Sequence, residues 1–203
     1  MMPRITRWTL PLILVLTGCA SFDERTTSLP DRLERDVDLH GTLAFRCGDY
    51  YLTETPSTRA LETLERRGLS IVLDLRDPAA AIDDPVRVEA QRFGLEYVQQ
   101  PLQRGGWPSD DYIDELVAEI DAFDGRIGLV FCDRGTNTAM MFAIFRASVV
   151  GVDADQAIEE ALKVGMPAGE SEAFVRGQIE RLKLKRAQTN SVSSTITSAT
   201  RSA

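Results

Sequence analysis

The chain has 203 residues and a formal net charge of −8; 43% of its residues are hydrophobic and 27% charged. The first 18 residues hold two arginines and no acids, so residues 19–203 carry 21 basic against 31 acidic residues, a net of −10. That balance excludes a general nucleic-acid binder and a polybasic membrane contact, and it opposes long-range attraction of phosphorylated ligands.

At the N-terminus, Arg4 and Arg7 precede an apolar segment from Trp8 to Leu16. It is too short to span a bilayer and has the layout of a secretion signal. It ends in Leu16-Thr17-Gly18-Cys19, which resembles a bacterial lipobox. The resemblance implies cleavage before Cys19 and lipidation of its sulfur, with acyl chains anchoring a domain that does not itself span. Ala20-Ser21, in place of an Asp at position 20, implies sorting to the outer membrane, facing the periplasm. The expected organisation is a signal peptide over 1–18, a polar tether over 19–41, one domain over 42–186 and a disordered tail over 187–203. A domain of roughly 150 residues buries about two thirds of its unfolded surface.

Within the domain, Thr42 to Arg46 alternates loosely and predicts a first strand, and Thr53 to Pro56 reads as a turn. Ser57 is placed to cap a helix through Arg67 that Gly68 closes. Ser70 to Arg76 is the strongest strand signal in the chain. A Pro/Asp/Ala loop occupies 77–84, then come a short helix from Pro85 to Phe93 and a strand from Leu95 to Val98. Ser109 caps a predicted helix from Asp110 to about Phe123. Ile127 to Phe131 is an apolar run that reads as a buried parallel strand, and Thr138 to Val150 is apolar almost all round, as in a buried helix. Asp153 with Gln156 opens a helix to Lys163, and Glu170 to Lys185 makes a last one. This alternation predicts an α/β fold: a central, mostly parallel sheet of about four to five strands flanked by helices, with ligands at the C-terminal strand ends.

Cys132 stands at such an end. The loop Cys132-Asp133-Arg134-Gly135-Thr136-Asn137 joins the buried strand to the buried helix, so several backbone N–H groups and the positive end of a helix dipole converge beside a thiol. That setting favours the thiolate, the nucleophilic form, although Asp133 opposes a second negative charge beside it. The competing reading is a buried structural cysteine.

The loop resembles the phosphate-binding signature of the cysteine-dependent tyrosine and dual-specificity phosphatases: His-Cys, five residues, Arg, with a glycine three after the Cys. Cys132 and Gly135 match. Phe131 stands at the His position and Thr138 at that of the arginine that grips the phosphoryl group. Phe45-Arg46-Cys47-Gly48, Leu64 to Arg76 and Phe142 to Ala161 are similar to further family segments, so the likeness covers about residues 43 to 166. It implies a dual-specificity-phosphatase-like fold and hydrolysis of phosphoric monoesters through a cysteinyl-phosphate, with Cys132 as nucleophile and the amides of Asp133, Arg134, Gly135, Thr136, Asn137 and Thr138 as cradle. The missing arginine implies weakened turnover, because threonine reproduces neither its charge nor its two-point grip. Arg46 and Arg76, both near strand ends, are candidates to replace it. Trp107-Pro108-Ser109-Asp110 resembles the Trp-Pro-Asp loop of tyrosine phosphatases and makes Asp110 and Asp111 the candidate general acids; the alternative is that both complement a helix dipole.

By the same resemblance Arg46-Cys47-Gly48 lies near the loop, so Cys47 and Cys132 are a candidate disulfide in an oxidising compartment. His40, the only histidine, falls in the tether. Neither a metal site nor Cys–His chemistry is therefore expected, and no cofactor. The expected partner is a phosphorylated small molecule or phosphoprotein, with membrane contact only through the lipid and no nucleic acid. Two alternatives remain: an inactive relative that binds an anion or a partner protein, and a rhodanese-like sulfurtransferase, whose own loop arginine position holds Asn137. The anchor has a direct test. Cys19→Ser in the native host should move the chain from the membrane fraction to the soluble periplasmic one, read by fractionation and by loss of metabolic acyl labelling.

Overall fold

In the computed structural model of the chain, residues 33–36, 39–77, 79, 84–102 and 107–200 are described. The expected signal segment, Cys19 and most of the expected tether lie outside them. Among the described residues six strands form one sheet: β1 (Glu34–Asp36), β2 (Ala44–Cys47), β3 (Tyr50–Thr53), β4 (Leu69–Asp74), β5 (Glu96–Gln99) and β6 (Ile127–Phe131). Their spatial order is β1-β2-β3-β6-β4-β5. β1, β2 and β3 pair antiparallel, whereas β3, β6, β4 and β5 are parallel neighbours.

The count exceeds the expected four to five, for two physical reasons. β1 is three polar residues on an edge, mostly exposed, so no apolar alternation marks it, and part of the expected tether belongs to the sheet. β3 is buried on both faces and shows no period of two; a tight turn at Gly48, in the left-handed region with φ 60°, folds it back on β2.

The α-helices among the described residues are α1 (Thr58–Arg66), α2 (Pro85–Arg92), α3 (Asp110–Asp121), α4 (Thr136–Phe145), α5 (Ala154–Lys163) and α6 (Glu170–Thr200). Three starts have the expected capping, Ser57 accepting from Ala60 N, Ser109 from Tyr112 N and Asp153 from Gln156 N, and Asp84, read from sequence only as loop, caps α2 by accepting from Val86 N. α4 passes into a π-helical segment, Arg146–Val150, that stops at left-handed Gly151. α6 runs to Thr200 instead of giving way to a disordered tail at 187. Its second half lacks an apolar stripe, yet no glycine or proline comes after Gly177 to stop the helix. No helix among the described residues is long and apolar enough to cross a membrane.

Strand alternation sorts the core onto two faces of the sheet. Leu52, Ile71, Leu73 and Val130 point toward the layer of α3, α4, α5 and α6, and Tyr51, Val72, Leu129 and Phe131 toward that of α1 and α2. The wider layer is built on α4, every residue of which from Thr138 to Phe145 is buried. Gly128 is required on β6: a Cβ there would fall 2.0 Å from the ring of Phe123.

A buried ionic cluster closes the C-terminal end of β4. Arg76 Nε donates to Asp74 Oδ1 at 2.9 Å and its Nη2 to Asp74 Oδ2 at 2.8 Å, while Nη1 bonds Asp84, the cap of α2. Tyr97 on β5 donates its hydroxyl to Asp74 at 2.5 Å, and the guanidinium lies 4.6 Å from the centroid of the Phe131 ring. Burial alone would lower the pKa of Arg76, but its hydrogen bonds to the two carboxylates override that and hold it charged. One cation thus ties β4, β5, β6 and α2 together. Removing one partner of such a group strands buried charge, so Arg76→Met should lower the unfolding free energy by about 3–5 kcal/mol. Arg66→Met, which breaks an exposed pair with Glu62 and an exposed hydrogen bond to Thr63, should change it by less than about 1 kcal/mol in the same urea titration.

Candidate active site

β6 ends at Phe131, whose carbonyl accepts from Leu75 N at 2.9 Å, and the next residue is the thiol. Alternation turns Phe131 toward α1 and α2 and Cys132 toward α4, so the two side chains lie on opposite faces of the sheet. Gly135 then takes a left-handed conformation, φ 75°, and serves as the N-cap of α4 without a side chain to offer. A residue with a Cβ would be strained in that conformation, beside the backbone of Thr53 and Glu54. The first helical amide satisfied within α4 is that of Ala139, which donates to Gly135 O. The amides of Thr136, Asn137 and Thr138 therefore stand as the uncapped positive end of the helix.

In front of this loop lies an open cleft of about 370 Å³ at the C-terminal ends of β4 and β6. Cys132, Asp133, Arg134, Thr136 and Asn137 line it from the loop, Arg76 and Asp77 from β4. Leu75, Leu102 and Pro167 complete the wall. Cys132 is only 4% exposed, packed in the core on one side and bordering the cleft on the other. Asp133 and Arg134 are exposed at the rim. Sequence reasoning misses Asp77; its position straight after the strong β4 strand, in a run Asp74-Leu75-Arg76-Asp77, is the signal that marks it.

Thr138 does not face the cleft as an arginine substitute. It is 1% exposed, and its hydroxyl lies 3.5 Å from the carbonyl of Thr53 on β3. Neither candidate replacement fills the role. Arg76 reaches the cleft wall with its charge already matched by Asp74 and Asp84. Arg46 is exposed, donates to Gly48 O at 2.8 Å and lies over Tyr51, at the opposite end of the sheet.

The same register overturns the expected disulfide. Cys47 pairs with Tyr50, and Tyr50 with Gly128, four residues before Cys132. At about 3.3 Å per residue the two cysteines are roughly 13 Å apart along the strands alone, beyond the ~7 Å between Cα atoms that a disulfide spans. Both are buried thiols. Burial pushes the Cys47 thiol up in pKa, against the opposing field of Arg146, which makes it a poor nucleophile.

Asp110 and Asp111 are not brought to the thiol. Asp110, at the start of α3, accepts from Gln178 Nε2 at 2.8 Å and pairs with Arg181 Nε at 3.3 Å, both on α6. Asp111 is exposed, and neither residue lines the cleft. The helix-dipole alternative is the one that matches their geometry. Trp107 instead turns to α6 and stacks on Phe174.

No family model matches the sequence, and no curated protein is significantly similar to it. Solved structures are. The chain is similar to TpbA of P. aeruginosa, with a TM-score of 0.62 at 20% identity over 78% of this chain and 98% of that one. It is similar to Tk-PTP, with a TM-score of 0.55 at 18% identity over 65% of this chain and 91% of that one. Against kinase associated phosphatase the TM-score is 0.56 at 14% identity, over 66% of this chain and 86% of that one. Sheet, helices and loop together give this chain the fold of the tyrosine and dual-specificity phosphatases.

Proposed function

We propose that this chain is a lipid-anchored, periplasm-facing protein of phosphatase fold whose Cys132 loop binds a phosphate-type oxyanion and hydrolyses phosphoric monoesters slowly through a cysteinyl-phosphate. One observation carries the reading: a nucleophilic side chain, Cys132, borders an open cleft at the start of a helix with three uncapped amides. Those amides supply hydrogen bonds to equatorial oxygens, and the helix dipole favours the anion. TpbA, whose fold is similar, has been crystallised in complex with pTyr, which supports a phosphate-type ligand for this fold.

In this reaction the Cys132 thiolate attacks phosphorus, the ester oxygen leaves and takes a proton, and water then cleaves the phosphorus–sulfur bond to return thiolate and phosphate. Asp77 and Asp133 are the carboxyl groups on the cleft walls that could deliver the proton; Asp110 is held away by α6. What slows the cycle is electrostatic. Loss of one preorganised donor costs about 10²–10³ in turnover, and here the donor at Thr138 is missing together with its charge.

A second reading, an anion-binding protein without turnover, is favoured by a specific observation. Thr138 is buried against β3, and Arg76 in the cleft wall is paired with two carboxylates. Hydrolysis of p-nitrophenyl phosphate by the full chain with reductant separates the two. The first reading expects slow steady turnover that Cys132→Ser abolishes. Absence of turnover in the native chain, with inorganic phosphate still protecting Cys132 from iodoacetamide, establishes the second.

A further inference from the structure

Three side chains open α4 beside the cleft. Thr136 donates its hydroxyl to Gly165 O at 3.4 Å, and Thr138 donates to Thr53 O at 3.5 Å. Asn137 stands between them. Together with Leu102 it lines both the cleft and an adjoining hollow of about 90 Å³, so the two spaces meet at these residues. Among the described residues the side-chain amide of Asn137 takes no hydrogen-bond partner.

The other residues of the hollow are apolar: Trp107, Pro108, Met140, Met141 and Phe174 line it with Leu102. Trp107 stacks on Phe174 with ring centroids 4.4 Å apart. An apolar space with one polar group at its edge is how small-molecule sites fix orientation: the walls take the body of the ligand and the polar group takes one atom. An amide offers two N–H donors and a carbonyl without any charge, so exchanging water for a ligand oxygen costs it little. The order of the spaces then sets the order of atoms in a ligand. With a phosphoryl group over the amides of Thr136 to Thr138 and an apolar substituent in the hollow, the atom that crosses at Asn137 is the ester oxygen.

We propose that the side-chain amide of Asn137 donates to the ester oxygen of the substrate, and that the adjoining hollow takes the apolar part of its alcohol. The substrate class is a phosphoric monoester of a compact apolar alcohol or phenol. This rests on the reading of the Cys132 loop as an oxyanion site. As the phosphorus–oxygen bond breaks, the ester oxygen gains negative charge, and the hydrogen bond from Asn137 strengthens with it. No proton leaves the amide; the one that the departing oxygen takes comes from a carboxyl group of the cleft. Inorganic phosphate, which has no substituent, is held by the main-chain amides alone.

Calorimetric titration of the full chain in detergent tests it, with Cys132→Ser so that esters are not consumed, at about pH 9, where phosphates and phosphonates are dianions. Phenyl phosphate and benzylphosphonate differ in one atom, an oxygen or a methylene at the junction. Phenyl phosphate should bind about fivefold more tightly, the scale of one hydrogen bond. Asn137→Ala should abolish that difference by weakening phenyl phosphate alone. Binding of inorganic phosphate should stay unchanged, a pattern that a loop disturbed as a whole does not give. Trp107→Ala should weaken both ring-bearing probes about fivefold and leave methylphosphonate unchanged, as loss of an aromatic contact requires. Equal binding of the two isosteres before any change at Asn137 overturns the proposal, as does an Asn137→Ala chain that weakens benzylphosphonate or inorganic phosphate to the same extent. Trp107→Ala without effect on the ring-bearing probes, or with equal effect on methylphosphonate, overturns the assignment of the hollow. Failure of every probe, inorganic phosphate included, removes the oxyanion reading beneath it; binding of inorganic phosphate without preference for the ester oxygen removes the proposal alone.

Discussion

The site depends on the pinning of β6 between two parallel neighbours. β3 holds it from Gly128 to Phe131, β4 holds the same stretch from the other side, and the Leu75 amide takes the last carbonyl. A strand fixed on both edges cannot slip by one residue without turning its whole apolar set to the wrong layer. The face on which Cys132 emerges is therefore determined by Leu129 and Phe131 packing against α1 and α2 and by Val130 packing against α4. Gly135 then does the one thing no other residue does without strain, taking the chain from the strand end into α4 with its amides unobstructed. Cys132 and the first residues of α4 border one cleft because register, alternation and a left-handed turn agree.

Electrostatics sets what this meeting can accomplish. In an arginine-containing loop, a full positive charge opposes the dianion and donates two parallel hydrogen bonds. Here the nearest buried guanidinium serves the fold: Arg76 neutralises Asp74 and Asp84 and covers Phe131. Freeing it to hold a ligand would strand two buried carboxylates, at a cost of several kcal/mol that one ligand contact does not recover. What remains at the loop is the N-terminal end of the α4 dipole and its first amides.

Much of this architecture is legible in the sequence. Three of the expected helix starts carry capping side chains whose geometry is local, and Ile127 to Phe131 announces a buried strand by its apolar run and abrupt end. The loop at Cys132 is implied by those two neighbours, since an apolar strand and an apolar helix joined by six residues leave little choice of connection. The failures share a cause. β1 is a polar edge strand and β3 is buried on both faces, so neither shows alternation. The reach of α6 to Thr200 reflects the absence of a stop signal, which a composition of Ser, Thr and Ala disguises. The Cys47–Cys132 pairing failed for a nonlocal reason. β2 runs antiparallel to β3, so the residue at its C-terminal end lies level with the start of β6 and not with its end, and spacing along the chain contains no trace of that.

α6 decides more of the site than its place at the end of the chain suggests. Gln178 and Arg181 engage Asp110, and Arg181 with Lys185 engages Asp114 one turn further along α3. Although burial works against it, those two cations hold the Asp114 carboxyl below its ordinary pKa, so the α3–α6 contact keeps its charge well into the acid range. The contact fixes the start of α3 against α6 and draws Trp107, just ahead of it, onto Phe174. A carboxylate bound in this way cannot swing to a leaving group without first breaking its bonds to α6, so the Trp-Pro segment here ends in a docking point. The energy that a mobile acid loop would spend on closing over a ligand is already committed to helix packing. The result is an open cleft at the Cys132 loop with the stacked pair Trp107–Phe174 beside it and the Asp110 carboxylate committed to helix packing.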